Sequence, residues 1–305
     1  MILTIPFYTP NNKLRNKELI SVLKKNIKKS FVKKIILLID DNTFENEKLI
    51  SPKINIIRLN KRPTYADWLR ETKKKINQSD YHVIANADIE LKDDFEDLIS
   101  HELIIEKTFL LISRYNLISN KKEKLERNAH DNQDVWCLKS KDLDKINKSH
   151  LSSLNIPLGI PRCDNKIAYE FWLRDWKLIN PCLRIKTIHH QKSGIRNYKN
   201  DDTSILGNVA FVLPSHGVAK ESKVSLNIVT LSNNAPISIQ ITNWLVRDID
   251  AKNKNYFFPF LGALAGILGS LKTIQSGIVK LNFTLLKKIK RKFSKIIRNN
   301  DSPES

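Results

Sequence analysis

The stretch Lys34-Ile-Ile-Leu-Leu-Ile-Asp40 constrains the fold more than any other part of the chain. A strand with one wet face alternates apolar and polar residues. An unbroken apolar run of strand length needs cover on both faces, as in a parallel sheet flanked by helices. The surrounding pattern agrees. Ile2–Phe7, Ile54–Arg58 and Tyr81–Ala85 read as strands. Residues 16–28 read as a helix with Leu19, Val22, Leu23 and Ile27 on one face. Residues 64–76 read as a second, with Tyr65, Leu69, Thr72 and Ile76 in register. This order predicts an α/β fold, Rossmann-like, with a mostly parallel central sheet and helices on both faces.

Further along, 107–113 and 134–139 read as strands separated by a polar loop, 164–175 as a helix and 184–189 as a strand. The expected organisation is one α/β domain over 1–200, a β-rich extension over 201–250 and a tail over 251–305. Within the extension, 205–246 carries no interpretable motif.

Glycine sharpens the exclusion. The chain has 8 glycines and the first is Gly159. A phosphate loop needs glycines so that backbone N–H groups can wrap phosphate, and a dinucleotide fingerprint needs them for the turn after its first strand. Any nucleotide held by residues 1–158 must be held by other means.

Charge divides into two parts. Lys plus Arg total 52 against 32 acids, a formal net charge of +20. Such a balance invites a nucleic-acid reading. The lysines, however, are scattered through a chain also rich in asparagine and isoleucine, and Trp68, Trp136, Trp172 and Trp176 lie in apolar contexts that suit a core. No nucleic-acid partner is expected. The tail differs, with eleven Lys or Arg and two acids in its 55 residues. Residues 256–271 are uncharged but fall short of the roughly 20 apolar residues of a membrane span. A basic amphipathic stretch follows, with Leu281, Leu285 and Ile289 beside Lys287, Lys288, Lys290, Arg291 and Lys292. That combination predicts a helical anchor on an anionic membrane surface. Cys137, Cys163 and Cys182 are too few for a disulfide framework or a four-ligand zinc site. The opening Met1-Ile-Leu-Thr-Ile-Pro6 has no basic leader. A cytoplasmic protein, peripheral on the membrane, is expected.

Ligands of open α/β sheets bind at the carboxyl ends of the strands. Asp40, Asp88 and the pair Asp134 and Asp164 are placed there. In Asn86-Ala87-Asp88, a carboxylate directly after a buried strand, with a second oxygen two residues earlier, suits a divalent cation on a diphosphate. The alternative is a turn cap. Asn60-Lys61-Arg62-Pro63-Thr64-Tyr65 puts two cations before a helix and could meet phosphates, or be a solvated turn. Asp164, in Gly159-Ile-Pro-Arg-Cys-Asp-Asn165, suits either a helix N-cap or a base toward an attacking hydroxyl. His189 and His190 end a strand and face opposite ways, so only one can point into a site.

Taken in order, these segments resemble the GT-A glycosyltransferases over roughly residues 1–200. Ile2–Tyr8 is similar to their opening strand. Asn60 to Asp88 is similar to the stretch from the basic turn to the metal-binding Asp-x-Asp. Gln133-Asp-Val-Trp136, Gly159 to Glu170 and His189 to Tyr198 resemble a bacterial and viral group of such proteins. The resemblance implies sugar transfer from a nucleotide-sugar donor to a glycan or lipid-linked acceptor, in surface polysaccharide or glycoconjugate synthesis. It implies donor contacts at Pro6, Tyr8, Asp40, Lys61, Arg62, Tyr65 and Asn86. It implies a divalent cation, Mn or Mg, at Asp88 with His189 or His190, and acid–base roles for Asp164 and Asp134. Asn86 departs from the pattern: an amide brings no charge to the first acidic position. Alternatives are a nucleotidyltransferase, against which Tyr8-Thr-Pro-Asn-Asn12 lacks the usual glycine-rich loop, a non-catalytic relative, or a basic nucleic-acid-binding protein.

Overall fold

The central strands divide their side chains between two apolar clusters with a period of two, as pleated strands buried on both faces must. In β1 (Ile2–Phe7), Leu3, Ile5 and Phe7 join one cluster and Ile2 the other. In β2 (Lys34–Ile39), Ile35, Leu37 and Ile39 face the first, Ile36 and Leu38 the second. The alternation repeats in β4 (Tyr81–Ala85), β6 (Thr108–Ser113) and β9 (Gln133–Lys139). This computed structural model describes residues 1–40, 51–75, 79–100, 106–119, 122–191 and 207–215, with 194, 205, 227–230, 239–240 and 243.

With β3 (Ile54–Arg58) and β10 (Lys177–Ile179), these strands form a seven-stranded sheet in the order β10-β6-β9-β4-β1-β2-β3. All neighbours are parallel except β9, which runs against both β4 and β6. The expected α/β class with a mostly parallel sheet is what the chain forms. Pro6 sits in the central strand without breaking it. β4 pairs with β1 only over Ile2–Thr4, so at Pro6 the ladder continues on the β2 side alone.

Helices cover both faces. α1 (Lys13–Ile27) lays Leu19 and Leu23 on the first cluster. Asn12 caps it, accepting from the N–H groups of Leu14 and Arg15 at 2.9 and 3.1 Å. α2 (Tyr65–Lys73) and α5 (Cys163–Trp172) cover the second cluster with Tyr65, Trp68 and Leu69, and with Ile167, Ala168 and Phe171. Phe171 stacks on Phe109 with ring centroids 3.8 Å apart, and both are fully buried. Each such side chain contributes about 1.5–3 kcal/mol of burial. The short α3 (Asp94–Ser100) adds Phe95 to the first cluster, and α4 (Lys148–Ser153) places Leu151 at the edge of the second.

Several expectations are corrected. The stretch between the strands at 107–113 and 134–139 is not a plain polar loop. It holds a hairpin, β7 (Tyr115–Ser119) and β8 (Lys122–Leu125), which joins β5 (Ile89–Leu91) and β11 (Thr187–His189) in a second sheet ordered β5-β11-β7-β8. Side chains along β8 are mostly exposed, so no apolar run marks it. α2 ends at Lys73, and only Thr187–His189 of the expected strand at 184–189 is extended. Trp68, Trp136 and Trp176 are core residues, but Trp172 is 39% exposed. In the extension, β12 (Val209–Val212) pairs antiparallel with β13 (Asn227–Thr230), while 239, 240 and 243 are helical. The rest of the extension and the tail at 251–305 lie outside the described residues. Among the described residues no helix is long and apolar enough to cross a membrane.

Candidate functional site

Six of the seven strands end on one edge of the central sheet, and the reversed strand β9 begins there. Asp134 therefore sits at the amino end of its strand rather than the carboxyl end, yet reaches the same edge as Asn86 and Asp88. The register shows why. Ala85 pairs with Val135, and the N–H of Asn86 donates to the Asp134 carbonyl at 3.0 Å.

Asp88 follows β4 in the turn to β5. Its Oδ2 accepts from Arg15 Nη2 at 2.6 Å and faces His189 Nε2 at 3.2 Å. β5 pairs antiparallel with β11, setting Ile89 opposite His189, and this brings the imidazole onto the carboxylate. Burial pushes the Asp88 carboxyl up, but His189 and Arg15 outweigh it and hold it well below the usual carboxylate range. Arg15 also binds Glu18 at 2.8 Å, and the Tyr8 hydroxyl lies against the same guanidinium. Burial opposes the guanidinium charge, and these partners more than restore it.

A second arginine holds the neighbouring acid. Asp134 accepts from Arg114 Nη1 at 2.8 Å and from Asn86 Nδ2 at 2.5 Å. Arg114 also meets Glu126 at 3.4 Å and Asn116 Oδ1 at 3.3 Å. Asn116 Oδ1 lies 3.2 Å from His189 Nδ1 and so joins the two halves. One unbroken network runs from Arg15 through Asp88, His189, Asn116, Arg114 and Asp134 to Asn86.

Asp164 stands beside this network in a different state. It is not the N-cap of α5. That position is Arg162, in the left-handed region at φ 69°, with no side-chain cap bond. Asp164 lies in the first helical turn, and its Oδ2 accepts from the Gln133 N–H at 3.3 Å. Burial, aided by the charges of Asp131 and Asp134, pushes its carboxyl up to about 8. Burial also raises Asp131, to about 6. A carboxyl in this range can take a proton near neutral pH, as an ordinary surface aspartate cannot.

The remaining expected residues divide. Pro6 and Tyr8 lie at the end of β1 and Asp40 directly after β2, all on the same edge. Lys61 and Arg62 are exposed, and Lys61 leans on Asp67 at 3.3 Å. The N-terminus of α2 behind them is closed by a capping box between Thr64 and Asp67. Tyr65 is not a surface residue. It is fully buried, edge-on to Trp136 at 5.0 Å, with its hydroxyl 3.8 Å from Cys163 Sγ. The His190 backbone N–H donates to the Asp88 carbonyl at 2.9 Å, but its ring turns to Glu90 at 2.7 Å, so of the two imidazoles only that of His189 meets the Asp88 carboxylate. Arg15, Arg114 and Asn116 were not anticipated. The Asn12 cap, which places Arg15 in the first turn of α1, is the one local signal for any of them.

A Mn or Mg ion takes one or two protein carboxylates and leaves its other positions to phosphate and water. As folded, this set does not fit a resident divalent cation. The Asp88 carboxylate is already paired with a guanidinium, and the Asn86 amide donates to Asp134. Among the described residues no group of three or more His, Cys, Asp or Glu side chains is placed to hold a metal.

No protein-family model matches the sequence, and no curated protein matches it. Among the solved structures similar to this α/β chain are a GalNAc-T7, a cytidylyltransferase and a TarS. GalNAc-T7 with UDP, GalNAc and Mn2+ is 11% identical, with 67% of this chain and 46% of that chain covered and a TM-score of 0.42. The chain thus spans about half the length of that protein. The 2-C-methyl-D-erythritol 4-phosphate cytidylyltransferase of Francisella tularensis is 16% identical, with 66% and 95% covered and a TM-score of 0.39. TarS of S. aureus is 10% identical, with 62% and 36% covered and a TM-score of 0.38.

Proposed function

We propose that the protein is a glycosyltransferase that moves a sugar from a nucleoside-diphosphate donor to a hydroxyl of a glycan or lipid-linked acceptor. The observation that carries this reading is the juxtaposition, on one sheet edge, of an arginine-bound aspartate pair and a separate aspartate whose carboxyl titrates near neutrality. The first arrangement suits an anionic leaving group. The second suits removal of a proton from an alcohol. In the reaction, the acceptor hydroxyl oxygen attacks the anomeric carbon. Asp164 takes its proton, and the bond to the diphosphate oxygen breaks with its electron pair on the leaving group. Direct displacement of this kind inverts the anomeric centre. Asp134, held by Arg114 and Asn86, supplies part of the charge that keeps Asp164 basic. The predicted anchor at 251–305 would hold the domain on an anionic cytoplasmic leaflet, near lipid-linked acceptors.

A panel of UDP-, GDP- and CMP-sugars, read by released nucleotide, tests the reading. Release of nucleoside diphosphate (or of CMP from a CMP-sugar), lost in Asp164→Asn, is the expected result. Release of pyrophosphate from a nucleoside triphosphate, with no sugar transferred, would assign nucleotidyl transfer instead.

A further inference from the structure

We propose that Arg15 is the cation this protein sets against a diphosphate, where the GT-A resemblance implies a divalent metal ion. The proposal deepens the nucleotide-sugar reading and takes its ligand class from it.

Three observations converge on Arg15. It lies in the first turn of α1, at the carboxyl edge, where the helix dipole is positive and no acidic residue of that turn offsets it. It is 6% exposed, yet its Nε makes no hydrogen bond of ordinary geometry among the described residues. The Tyr8 hydroxyl beside it is likewise buried and left without such a bond. The hydroxyl oxygen lies where it can accept from the guanidinium, which leaves the Tyr8 O–H proton as a buried donor without an acceptor among the described residues, an unmet demand for an anionic oxygen.

The other face of the guanidinium is fixed. Nη1 is held by Glu18 at 2.8 Å and Nη2 by Asp88 at 2.6 Å. These two carboxylates fix the fork, and the Nε edge, buried beside Tyr8, is the one that neither of them holds. Asp88 is thereby a positioning residue for Arg15 rather than a metal ligand. Asn86 fits the same logic: its amide donates to Asp134 and brings no second carboxylate to this turn. When the donor bond breaks, its electron pair stays on the terminal phosphate oxygen. Arg15 meets that charge by hydrogen bonding, and no proton moves.

The full chain is titrated with inorganic pyrophosphate and with UDP, GDP and CDP by calorimetry, in EDTA and then in Mn2+. Binding is expected in EDTA, changed less than about threefold by Mn2+. Arg15→Lys keeps the charge but loses the fork, and should weaken binding about tenfold. Tyr8→Phe should weaken it about threefold. Asp88→Asn removes a carboxylate that orients the fork and should weaken metal-free binding by less than Arg15→Lys does, with the effect of Mn2+ still below about threefold. Binding abolished by EDTA, or Mn2+-supported binding lost in Asp88→Asn, overturns the proposal. So does Arg15→Lys binding like the parent. If pyrophosphate binds in EDTA through Arg15 but no sugar is transferred, the glycosyl reading fails and this one stands. Transfer that requires Mn2+ gives the reverse.

Discussion

Asp88 and Asp164 are both aspartates on one sheet edge, and the fold drives them in opposite directions. Both pay for desolvation. At Asp88 an arginine and a histidine more than compensate, and the carboxylate stays charged. At Asp164 no cation among the described residues is placed to do so, and Asp131 and Asp134 add to the cost, which raises the carboxyl to about 8. A pair of like residues with titrations pushed apart is how a site separates holding a charge from moving a proton. The difference also has consequences for stability. Asp88, depressed in the native state, contributes stability that is present above its unfolded value near 3.8 and lost as pH falls through the native value. Asp164, raised in the native state, does the reverse: stability falls as pH rises from about 4 toward 8.

The most severe way to break the comparison is Asp164→Asn. Sugar transfer should fall about 10²- to 10⁴-fold, the range of a lost general base. The same variant should be more stable than the parent at pH 8, by about 1–3 kcal/mol, and so melt higher, because the amide carries no charge to desolvate. Turnover and thermal melting together check this. A variant that melts lower and keeps its activity would show that Asp164 is an ordinary structural acid.

Arg114→Met attacks the other half. It leaves Asp134 buried and without its guanidinium, which should destabilise by about 3–5 kcal/mol. Adding Asp134→Asn should recover most of that loss, since both charges are then gone. Denaturant unfolding of the two single variants and the double variant gives the coupling directly. Strict additivity would mean that the 2.8 Å contact does not carry the energy assigned to it.

The pH profile sharpens the contrast with a smaller effect. Rates should rise with pH along a limb near 8, as Asp164 loses its proton. Asp131→Asn removes one of the charges that raise it, and should move the limb down by about one pH unit. A limb that stays in place in Asp131→Asn would leave burial and the charge of Asp134 as the causes.

How much of this was legible in the sequence depends on the range of the signal. The buried strands β1, β2 and β4 announce themselves by local apolar runs, and α1 by Leu19, Val22 and Leu23 on one face. The direction of β9 has no local signature, because an apolar strand buried on both faces reads alike either way. Hence Asp134 was expected at the right edge for the wrong reason. The hairpin β7–β8 was invisible because its lysines and glutamates face water. Arg15 and Asp88 are separated by 73 positions, and Arg114 and Asp134 by 20. No spacing rule links residues so far apart. The acids of the site could be named from sequence, but the arginines that set their states could not.

Tyr65 is where helical register and family resemblance disagreed within the sequence itself. Its spacing with Leu69 and Thr72 marks a buried helix face, while the resemblance places it on the donor. The structure favours the register: the ring is fully buried against Trp136, and among the described residues the hydroxyl meets only the Cys163 thiol, a weak acceptor at 3.8 Å. Tyr65→Phe keeps the ring and gives up that single weak bond, so it should change stability by less than about 1 kcal/mol. It should also leave the Michaelis constant for the donor unchanged, whereas Tyr8→Phe should raise it. Parallel donor titrations of the two variants make the comparison. A donor defect in Tyr65→Phe as large as that in Tyr8→Phe would require α2 to open and expose this face when the nucleotide binds.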